Sequence, residues 1–220
     1  MKKLVIFGCS GHAKVIVDMI ELSGLYEVAG YICKEQSIKP YGHHYPILGT
    51  DRDLYQIIQQ LPIHAFVIAI GDNMLRRMLY NASSKTGIPH VTITHPSSII
   101  AGDVVMGPGT VVMAGAIINP NVTVGISCII NTNASIDHDC QIGDFSSIAP
   151  GTIIGGNVKI GNNSAICLGS RIIPGITIGD NVMIGAGSLV LHDIPDNVVA
   201  YGSPAKVIKK LNDQPNTTVK

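Results

Sequence analysis

An apolar residue recurs at every sixth position from Ile100 to Val190 without interruption. Four residues after each of them comes a small or β-branched one, such as Val104, Thr110 or Ala116. A spacing of four within a period of six fits neither an amphipathic helix nor an alternating strand. It predicts a β-helix built from hexapeptides. The sixteen apolar positions are Ile100, Met106, Val112, Ile118, Val124, Ile130, Ile136, Ile142, Ile148, Ile154, Ile160, Ile166, Ile172, Ile178, Ile184 and Val190.

The third and fourth residues of each hexapeptide have the composition of a tight corner. The fourth is Gly six times, Asn five times and Asp three times, and the two exceptions are Ser127 and Phe145. Gly, Asn and Asp tolerate positive φ, so each hexapeptide is predicted to be one short strand followed by one corner. The third position holds every proline between residues 100 and 190, namely Pro108, Pro120, Pro150 and Pro174.

This pattern resembles the left-handed parallel β-helix of the hexapeptide-repeat acyltransferases. In that family three hexapeptides make one triangular coil. Sixteen hexapeptides therefore make a little over five coils, and at a strand spacing of about 4.8 Å the prism would be about 25 Å tall.

The first 95 residues have a different pattern, in which short apolar runs alternate with helical stretches. Residues 4–8 are predicted to be a buried strand that turns through Cys9–His12 into a helix ending near Ser23. The start of that helix offers unpaired amides to an anion. Because ligands of open α/β sheets bind beyond the carboxyl ends of strands, the loops 8–12 and 70–73 are predicted to frame one pocket. We expect a Rossmann-like domain (1–95), a solenoid with a closing segment (96–211) and a disordered tail (212–220).

Composition narrows the function classes. Lys plus Arg and Asp plus Glu number 15 each, which argues against a nucleic acid or an acidic membrane as the main partner. No window approaches the ~20 apolar residues of a membrane span, so we expect a cytoplasmic protein. The five cysteines suggest a reducing compartment, with Cys128 and Cys140 on the inward-facing small-residue position.

Four motifs make the resemblance more specific. They are Gly8-Cys9-Ser10-Gly11-His12, Ala69-Ile70-Gly71-Asp72-Asn73 with Arg76, Asp137-His138-Asp139-Cys140 with Gly143-Asp144-Phe145-Ser146, and Gly202-Ser203-Pro204-Ala205-Lys206. Over nearly its whole length the chain resembles the sialic acid O-acetyltransferase and sugar-nucleotide N-acetyltransferase group. The resemblance implies that the N-terminal domain binds a nucleotide-sugar of the UDP-4-amino-sugar type. It also implies a homotrimer with acetyl-CoA between neighbouring solenoids, a histidine where the two substrates meet, and no metal.

The resemblance also assigns the binding residues. Substrate contacts are expected from Gly8, Ser10, Gly11, His12, Gly71, Asn73 and Arg76. Contacts with acetyl-CoA are expected from Phe145, Ser147, Gly156, Pro204, Ala205 and Lys206.

His138 is also indicated by its place in the repeat. His138 and Asp139 occupy the third and fourth positions, where other hexapeptides have pairs such as Pro-Asn or Gly-Asn. An imidazole there would project outward between small neighbours, and either Asp137 or Asp139 could orient it. The alternative is a solvent-facing histidine beside an aspartate that serves only as a turn residue.

Three further positions bear on the site. Phe145 is the one bulky residue among the fourth positions, and we assign it to trimer packing or the coenzyme groove. Relatives often have a second histidine where this chain has Ser147. They often have an Asp pair that meets the nucleotide base where this chain has Cys33-Lys34.

The predicted mechanism is direct acetyl transfer in a ternary complex, with His138 as the general base for a sugar amine. A covalent acetyl-cysteine route is disfavoured because Cys140 is predicted to face inward. The closest rival has the same fold and acetylates a sugar hydroxyl instead. A metal-dependent lyase of the carbonic anhydrase type needs about three converging histidines, whereas the solenoid has only His138 and His192. A non-catalytic scaffold is the remaining alternative.

Overall fold

The computed structural model of the chain describes residues 1–34 and 45–211. They form an N-terminal α/β domain followed by a solenoid of short parallel strands, as the sequence predicts. The tail predicted to be disordered lies outside the described residues. No described helix has the length and apolar composition that crossing a membrane requires.

The N-terminal domain is a parallel sheet of four strands with helices packed against it. Strands β1 (Lys2–Phe7) and β4 (Ala65–Ile68) consist mainly of buried residues because helices cover both faces of the sheet. The strand order is β3-β2-β1-β4, and all pairs are parallel, which confirms the Rossmann-like prediction. In chain order the elements are β1 (Lys2–Phe7), α1 (Gly11–Ser23), β2 (Tyr26–Ile32), β3 (Ile47–Gly49), a 3-10 turn (Asp51–Asp53), α2 (Leu54–Gln60), β4 (Ala65–Ile68), α3 (Asn73–Ser83) and a second 3-10 turn (Ser84–Thr86).

The solenoid begins one strand earlier than the sequence predicts. Strand β5 (Ile93–Thr94) falls within the N-terminal domain predicted from the sequence (1–95), but it pairs with solenoid residues 111–112. Its register follows the 18-residue coil, so it forms the first rung of the solenoid. The strands that follow are β6 (Ile99–Ile100), β7 (Val105–Met106), β8 (Val111–Val112), β9 (Ile117–Ile118), β10 (Thr123–Val124), β11 (Ile129–Ile130), β12 (Ser135–Ile136), β13 (Gln141–Ile142), β14 (Ser147–Ile148), β15 (Ile153–Ile154), β16 (Lys159–Ile160), β17 (Ala165–Ile166), β18 (Arg171–Ile172), β19 (Thr177–Ile178), β20 (Met183–Ile184) and β21 (Leu189–Val190).

These strands stack into three parallel sheets, one on each side of a triangular prism. The second residue of each strand points inward, and from Val112 to Val190 every one of these side chains is buried. All fourteen corner residues from 109 to 187 have positive φ, whereas Asp103 and Asp193 do not. The corner chemistry read from the sequence is therefore confirmed except at the two ends.

The corners form three vertical columns, because residues 18 apart stack on one another. We call the column of Asn121, Asp139 and Asn157 the histidine corner. The column of Ser127, Phe145 and Asn163 is the docking corner. The third column contains Asn133, Gly151 and Gly169. A five-stranded sheet (β7, β10, β13, β16, β19) joins the histidine corner to the docking corner.

The N-terminal domain packs against the eight-stranded sheet of the solenoid beside the docking corner. Val111, Met113 and Ile129 on the outer face of this sheet share one apolar cluster with Ile16 and Ile20 of α1. Burying apolar surface contributes about 25 cal/mol of stabilising free energy per Å², so these contacts hold the two domains together. This packing fixes which corner of the prism faces the N-terminal domain.

A hairpin closes the top of the solenoid. Strand β22 (Val198–Gly202) continues the eight-stranded sheet beyond β20, and β23 (Ala205–Lys210) pairs with β22 in the antiparallel direction. The predicted coenzyme residues Pro204, Ala205 and Lys206 lie at the turn and start of β23.

The cysteines depart in part from the prediction of reduced thiols. Cys128 and Cys140 are free and buried inside the solenoid, as predicted. Cys9 and Cys33 instead form a disulfide. They follow neighbouring parallel strands, β1 and β2, and this places their Cα atoms 6.0 Å apart, within the usual range for a disulfide.

Candidate functional site

His138 lies exposed on the histidine corner, with 59% of its side chain accessible. Its Nδ1 lies 2.6 Å from Oδ2 of Asp139. Because a carboxylate only accepts hydrogen bonds, the proton of the neutral imidazole resides on Nδ1. Nε2 therefore carries the lone pair of a potential base.

The two flanking aspartates have separate tasks. Oδ1 of Asp137 accepts hydrogen bonds from the backbone N–H of His138 (2.8 Å) and from Nδ2 of Asn119 (2.9 Å). Asp139 instead binds the ring and is itself held by Nδ2 of Asn121, one coil below. Asp137 thus fixes the backbone at the corner, and Asp139 orients the imidazole.

These contacts shift the pKa values at the corner in opposite directions. The hydrogen bond to Asp139, helped by the charge of Asp137, raises the pKa of His138 above 6.5. The pKa of Asp139 is lowered by its hydrogen bonds from Asn121 and His138, and that of Asp137 by its hydrogen bonds from the His138 backbone and Asn119. The imidazole is therefore a stronger base than a free histidine.

Gly156, one coil above, leaves the space that the imidazole occupies. A Cβ at this position would lie 2.7 Å from Cε1 and 2.8 Å from Nε2 of His138. Any larger residue would push the ring away from its place beside Asp139. Gly156, predicted as a coenzyme contact, thus also shapes the base.

Cys140 points away from this corner into the core, as predicted. Its side chain is fully buried, and Sγ donates to the carbonyl of Gly155. Burial raises the pKa of the thiol, which disfavours the thiolate that a covalent route needs.

Arg76 of α3 fills the junction between the N-terminal domain and the docking corner. Only 1% of it is exposed, and no ion pair engages it within the described residues. Burial lowers its pKa to about 10, so the side chain remains a cation at neutral pH. Its acceptors are Ser127 O (2.7 Å), Phe145 O (2.7 Å), Asn73 Oδ1 (2.9 Å), Ile70 O (3.0 Å), Ser147 Oγ (3.1 Å) and Gly71 O (3.2 Å).

These contacts change the interpretation of Arg76, which was predicted to contact the substrate. Its five N–H donors all have acceptors in the protein, so none is left for a ligand. Asn73 and Ser147 belong to the same cluster, because Ser147 Oγ donates to Asn73 Oδ1 (2.6 Å) and Asn73 Nδ2 donates to the carbonyls of Asn163 and Ser164. The three side chains orient the N-terminal domain on the solenoid.

Phe145 corrects another prediction. It is 7% exposed, and its ring packs edge-on against Tyr80 of α3, with 5.5 Å between ring centroids. The N-terminal domain of the same chain covers it, so in this chain it lies neither in a coenzyme groove nor at a free surface. Sequence reasoning missed Tyr80, whose only signal is an aromatic residue on the helix after β4.

His12 lies at the start of α1, close enough to Arg76 for their charges to interact. Burial, together with the positive charge of Arg76, lowers the pKa of His12 to about 4, so the imidazole is neutral. Its buried Nε2 has no hydrogen-bond partner among the described residues. Such a group is satisfied when water or a ligand reaches it.

A cavity of about 540 Å³ lies at the carboxyl edge of the N-terminal sheet. Its lining includes Gly8 and Ser10 of the predicted substrate loop. Gly11, the first residue of α1, is the next residue of that loop. On the opposite wall lie Cys33 and Lys34 after β2, at the position where relatives have the Asp pair that meets the nucleotide base. Sequence reasoning missed the residues after β3, although the strand end indicates them. The lining comprises Phe7, Gly8, Cys9, Ser10, Ile32, Cys33, Lys34, Thr50, Asp51, Arg52, Ile70, Leu75 and Leu79.

The structure thus separates the predicted site residues into two groups. The Arg76 cluster lies at the docking corner and contacts Ile70 of the cavity wall, while the His138 pair and Gly156 lie at the histidine corner. Among the described residues, no hydrogen bond or ring contact joins the N-terminal domain to the histidine corner. Asp139 and Phe145 are neighbouring corners of one coil, so the two groups lie at nearly the same height along the prism.

Comparison with known proteins supports both domains. The family model of the PglD N-terminal domain matches residues 3–83. PerB of Caulobacter crescentus, solved with CoA and GDP-perosamine, superimposes with a TM-score of 0.89 at 35% identity, covering 95% of this chain and 98% of PerB. The acetyltransferase domain of PglB from Neisseria gonorrhoeae, solved with acetyl coenzyme A, gives a TM-score of 0.85 at 30% identity, covering 94% and 99%.

Among curated proteins, UDP-N-acetylbacillosamine N-acetyltransferase of Bacillus subtilis is 34% identical over 107 residues, 49% of each protein. The chain spans about half the length, or less, of the curated relatives it matches. PerB and the PglB domain match over nearly their whole length, and the repeat, the N-terminal domain and the order of the two agree. The chain therefore belongs to the hexapeptide-repeat sugar N-acetyltransferase family whose members carry a PglD-type N-terminal domain.

Proposed function

We propose that the protein transfers an acetyl group from acetyl-CoA to the amino group of a nucleotide-linked amino sugar. The observation that carries the proposal is the pair of His138 and Asp139, with Nε2 free on an open corner. The cavity beyond β1 adds a second ligand site in the N-terminal domain. Relatives solved with CoA and a nucleotide-sugar support the substrate classes.

His138 acts as the general base in this proposal. As the sugar nitrogen attacks the thioester carbonyl, Nε2 accepts the proton that the nitrogen loses. The carboxylate of Asp139 stabilises the imidazolium that results, and a backbone N–H steadies the developing oxyanion. The acetyl group passes directly to nitrogen and CoA leaves as the thiol, so no acetyl-cysteine forms.

The distance between the two corners requires a second copy of the chain. One side of the prism spans about six residues, or roughly 20 Å at about 3.3 Å per residue. A sugar bound by the N-terminal domain at the docking corner cannot reach His138 of the same chain across that side. We therefore propose that His138 serves the cavity of a neighbouring subunit in a homotrimer.

Two exposed apolar residues on one side of the prism support this assembly. Ile99 and Ile153, on the outer face of the six-stranded sheet, are 65% and 50% exposed. This sheet leads directly into the histidine corner, so burying it against another copy would bring that corner to the interface. Closed rings of three are a common solution for such heterologous contacts.

Acetyl-CoA would lie in the groove at the histidine corner. Gly156 remains a contact there, and the exposed ammonium of Lys206 suits a phosphate of the coenzyme. Phe145 and Ser147 are occupied by the N-terminal domain of their own chain. We therefore propose no coenzyme contact for these two within the same chain. A cytoplasmic location remains a prediction from the sequence, and a UDP-linked acceptor remains a prediction from the sequence resemblance.

The test is release of CoA thiol from acetyl-CoA with a panel of acceptors. The panel contains GDP- and UDP-linked 4-amino sugars, the same sugars with a hydroxyl in place of the amine, and free sialic acid. Turnover with an amine and none with its hydroxyl counterpart supports the proposal. Turnover with hydroxyl acceptors alone would establish O-acetylation instead, and no turnover with any acceptor would favour a scaffold.

A further inference from the structure

The wall of the cavity formed by the ends of β2 and β3 carries charged groups that nothing described so far uses. Lys34 follows β2, and Asp51 and Arg52 begin the 3-10 turn after β3. All three are exposed and line the cavity. We propose that these residues recognise the base of the nucleotide-sugar and select guanine. This inference rests on the proposed function for the identity of the ligand class.

The orientation of the ligand follows from the two ends of the cavity. The Cys9–Ser10 turn and the start of α1 provide backbone amides for a diphosphate near the middle of the sheet, whereas the N–H of Gly8 already donates to the carbonyl of Ile32. The β4 end, with Ile70 and α3, abuts the solenoid through Arg76. In the proposed assembly the sugar extends toward that side, because the solenoid of a neighbouring subunit presents its base beside the docking corner. The base is then directed to the opposite side, where β2 and β3 end.

The side chains on that side are available to a ligand. Among the described residues, no hydrogen bond or ion pair engages the side chains of Lys34, Asp51 or Arg52. Asp53 in the same turn is different, because its Oδ2 accepts from the backbone N–H and the hydroxyl of Thr50, both at 2.8 Å. Asp53 therefore caps the turn and leaves Asp51 free to bind a ligand.

The hydrogen-bonding edges of the bases decide which one fits an acid beside two cations. Guanine presents two adjacent donors, N1–H and N2–H, which one carboxylate accepts together. Its O6 and N7 are acceptors, and Arg or Lys to these two atoms is the commonest specific contact with guanine. Asp51 together with Lys34 or Arg52 matches both parts of this edge.

Uracil fits the same groups poorly. Its single donor, N3–H, lies between two carbonyl oxygens, so the second oxygen of a carboxylate would face a carbonyl without a hydrogen between them. Adenine offers one amino donor beside a ring nitrogen that only accepts. Once a bound base covers the carboxylate, an acid that faces an acceptor loses affinity, and sites built on such pairs discriminate strongly. The Asp pair of relatives is Cys33-Lys34 here, so the acid is supplied from β3 instead of β2.

The apolar floor of the cavity supports a flat ring but does not choose between bases. Ile70, Leu75 and Leu79, which are partly exposed, contribute carbon surface that any base can cover. Selection must therefore come from the polar edge. Guanine therefore takes the place of the uracil that the sequence resemblance implies.

The test is calorimetric titration of the purified full-length protein with GDP, UDP and ADP. We expect GDP to bind at least about tenfold more tightly than UDP, since one bidentate pair contributes about 1–3 kcal/mol. Asp51→Asn should remove most of that preference, because it should weaken the binding of GDP and change the binding of UDP little. Asp18→Asn, an exposed change of equal charge on α1 away from the cavity, is the control and should leave the preference intact.

Lys34→Met provides a second variant, and it should also weaken GDP more than UDP. Equal or tighter binding of UDP, or a GDP preference that survives in both variants, would overturn the inference. Absence of binding by any nucleotide would also overturn it. The acceptor panel distinguishes a failure of this inference from a failure of the proposed function. Acetyl transfer to the UDP-linked amine but not to the GDP-linked amine would support the acetyltransferase function and contradict guanine recognition. Selective GDP binding without acetyl transfer to any acceptor would support guanine recognition and contradict the acetyltransferase function.

Discussion

The histidine corner and the docking corner are built from the same hexapeptide and the same left-handed backbone, yet they have opposite surroundings. Asp139 has φ 61° and Phe145 has φ 58°. At the first corner an exposed imidazole and carboxylate face solvent, and at the second an aromatic ring and two backbone carbonyls are covered by α3. The repeat thus sets the backbone, whereas the covering domain decides which corner is available for chemistry.

Replacing the base should have the largest effect at the histidine corner. His138→Ala removes Nε2, and we expect kcat to fall by about 10²- to 10⁴-fold in the thiol-release assay. The melting temperature should not change, because the side chain is exposed. His64→Ala, an exposed histidine at the opposite edge of the N-terminal sheet, is the matched control and should retain full turnover. A His138→Ala enzyme with normal kcat would remove this residue from the mechanism.

Breaking the docking corner should affect stability first. Arg76→Leu leaves the carbonyls of Ser127 and Phe145 without donors, and we expect a loss of about 2–4 kcal/mol in the free energy of unfolding. Thermal and denaturant unfolding measure this loss, and kcat/KM should fall with it as the N-terminal domain loses its orientation. Arg77→Leu removes the exposed neighbouring charge and should be close to neutral. Equal stability of the two variants would contradict the role of Arg76.

Moving the base without removing it should have a smaller effect. Gly156→Ala places a Cβ where the imidazole lies, so we expect kcat to fall by about ten- to a hundredfold at unchanged stability. Gly102→Ala is the matched control, because Gly102 stands three coils below in the same column with no atom within 4 Å of its added Cβ. If both variants behave alike, the ring position does not limit the rate.

Changing the partner of the base should shift its pH dependence. Asp139 raises the pKa of His138, and a base works only when deprotonated, so the acidic limb of kcat/KM lies above pH 6.5 in the wild type. Asp139→Asn lowers that pKa, and the limb should move to lower pH. Asn already occupies the same corner position at residues 121 and 157, so the turn tolerates it. We would measure kcat/KM of both proteins from about pH 5 to pH 9. If the acidic limb lies at the same pH in both, a group other than His138 causes it.

The solenoid could be predicted nearly residue by residue because its information is local and repeated. A period of six with Gly, Asn or Asp at the corner specifies strand, corner and inward face at once. The strand at Ile93 was the exception, because one short apolar run fits a strand of either domain. Its partner, Val111, is distant in sequence and only the three-dimensional register identifies it.

The sequence identifies the candidate base, but it does not show which of the other predicted site residues are covered at the docking corner. His138 breaks the repeat where a corner is expected, which is a visible signal. Arg76 and Phe145 are equally visible, but their roles depend on tertiary packing that a single sequence does not show. A buried arginine with only neutral acceptors looks, in sequence, the same as one that binds a phosphate.

The proposed site combines the histidine corner of one subunit with the cavity of another. It can be tested by co-expressing His138→Ala with Ser10→Trp, which places an indole in the cavity, and measuring acetyl transfer by the mixed oligomer. Each variant alone should be inactive. Equal mixing should restore about a quarter of wild-type activity, because a site then combines an intact His138 from one chain with an intact cavity from another. No recovery in oligomers verified to contain both variants would show that base and cavity belong to one chain, and the shared site would be wrong.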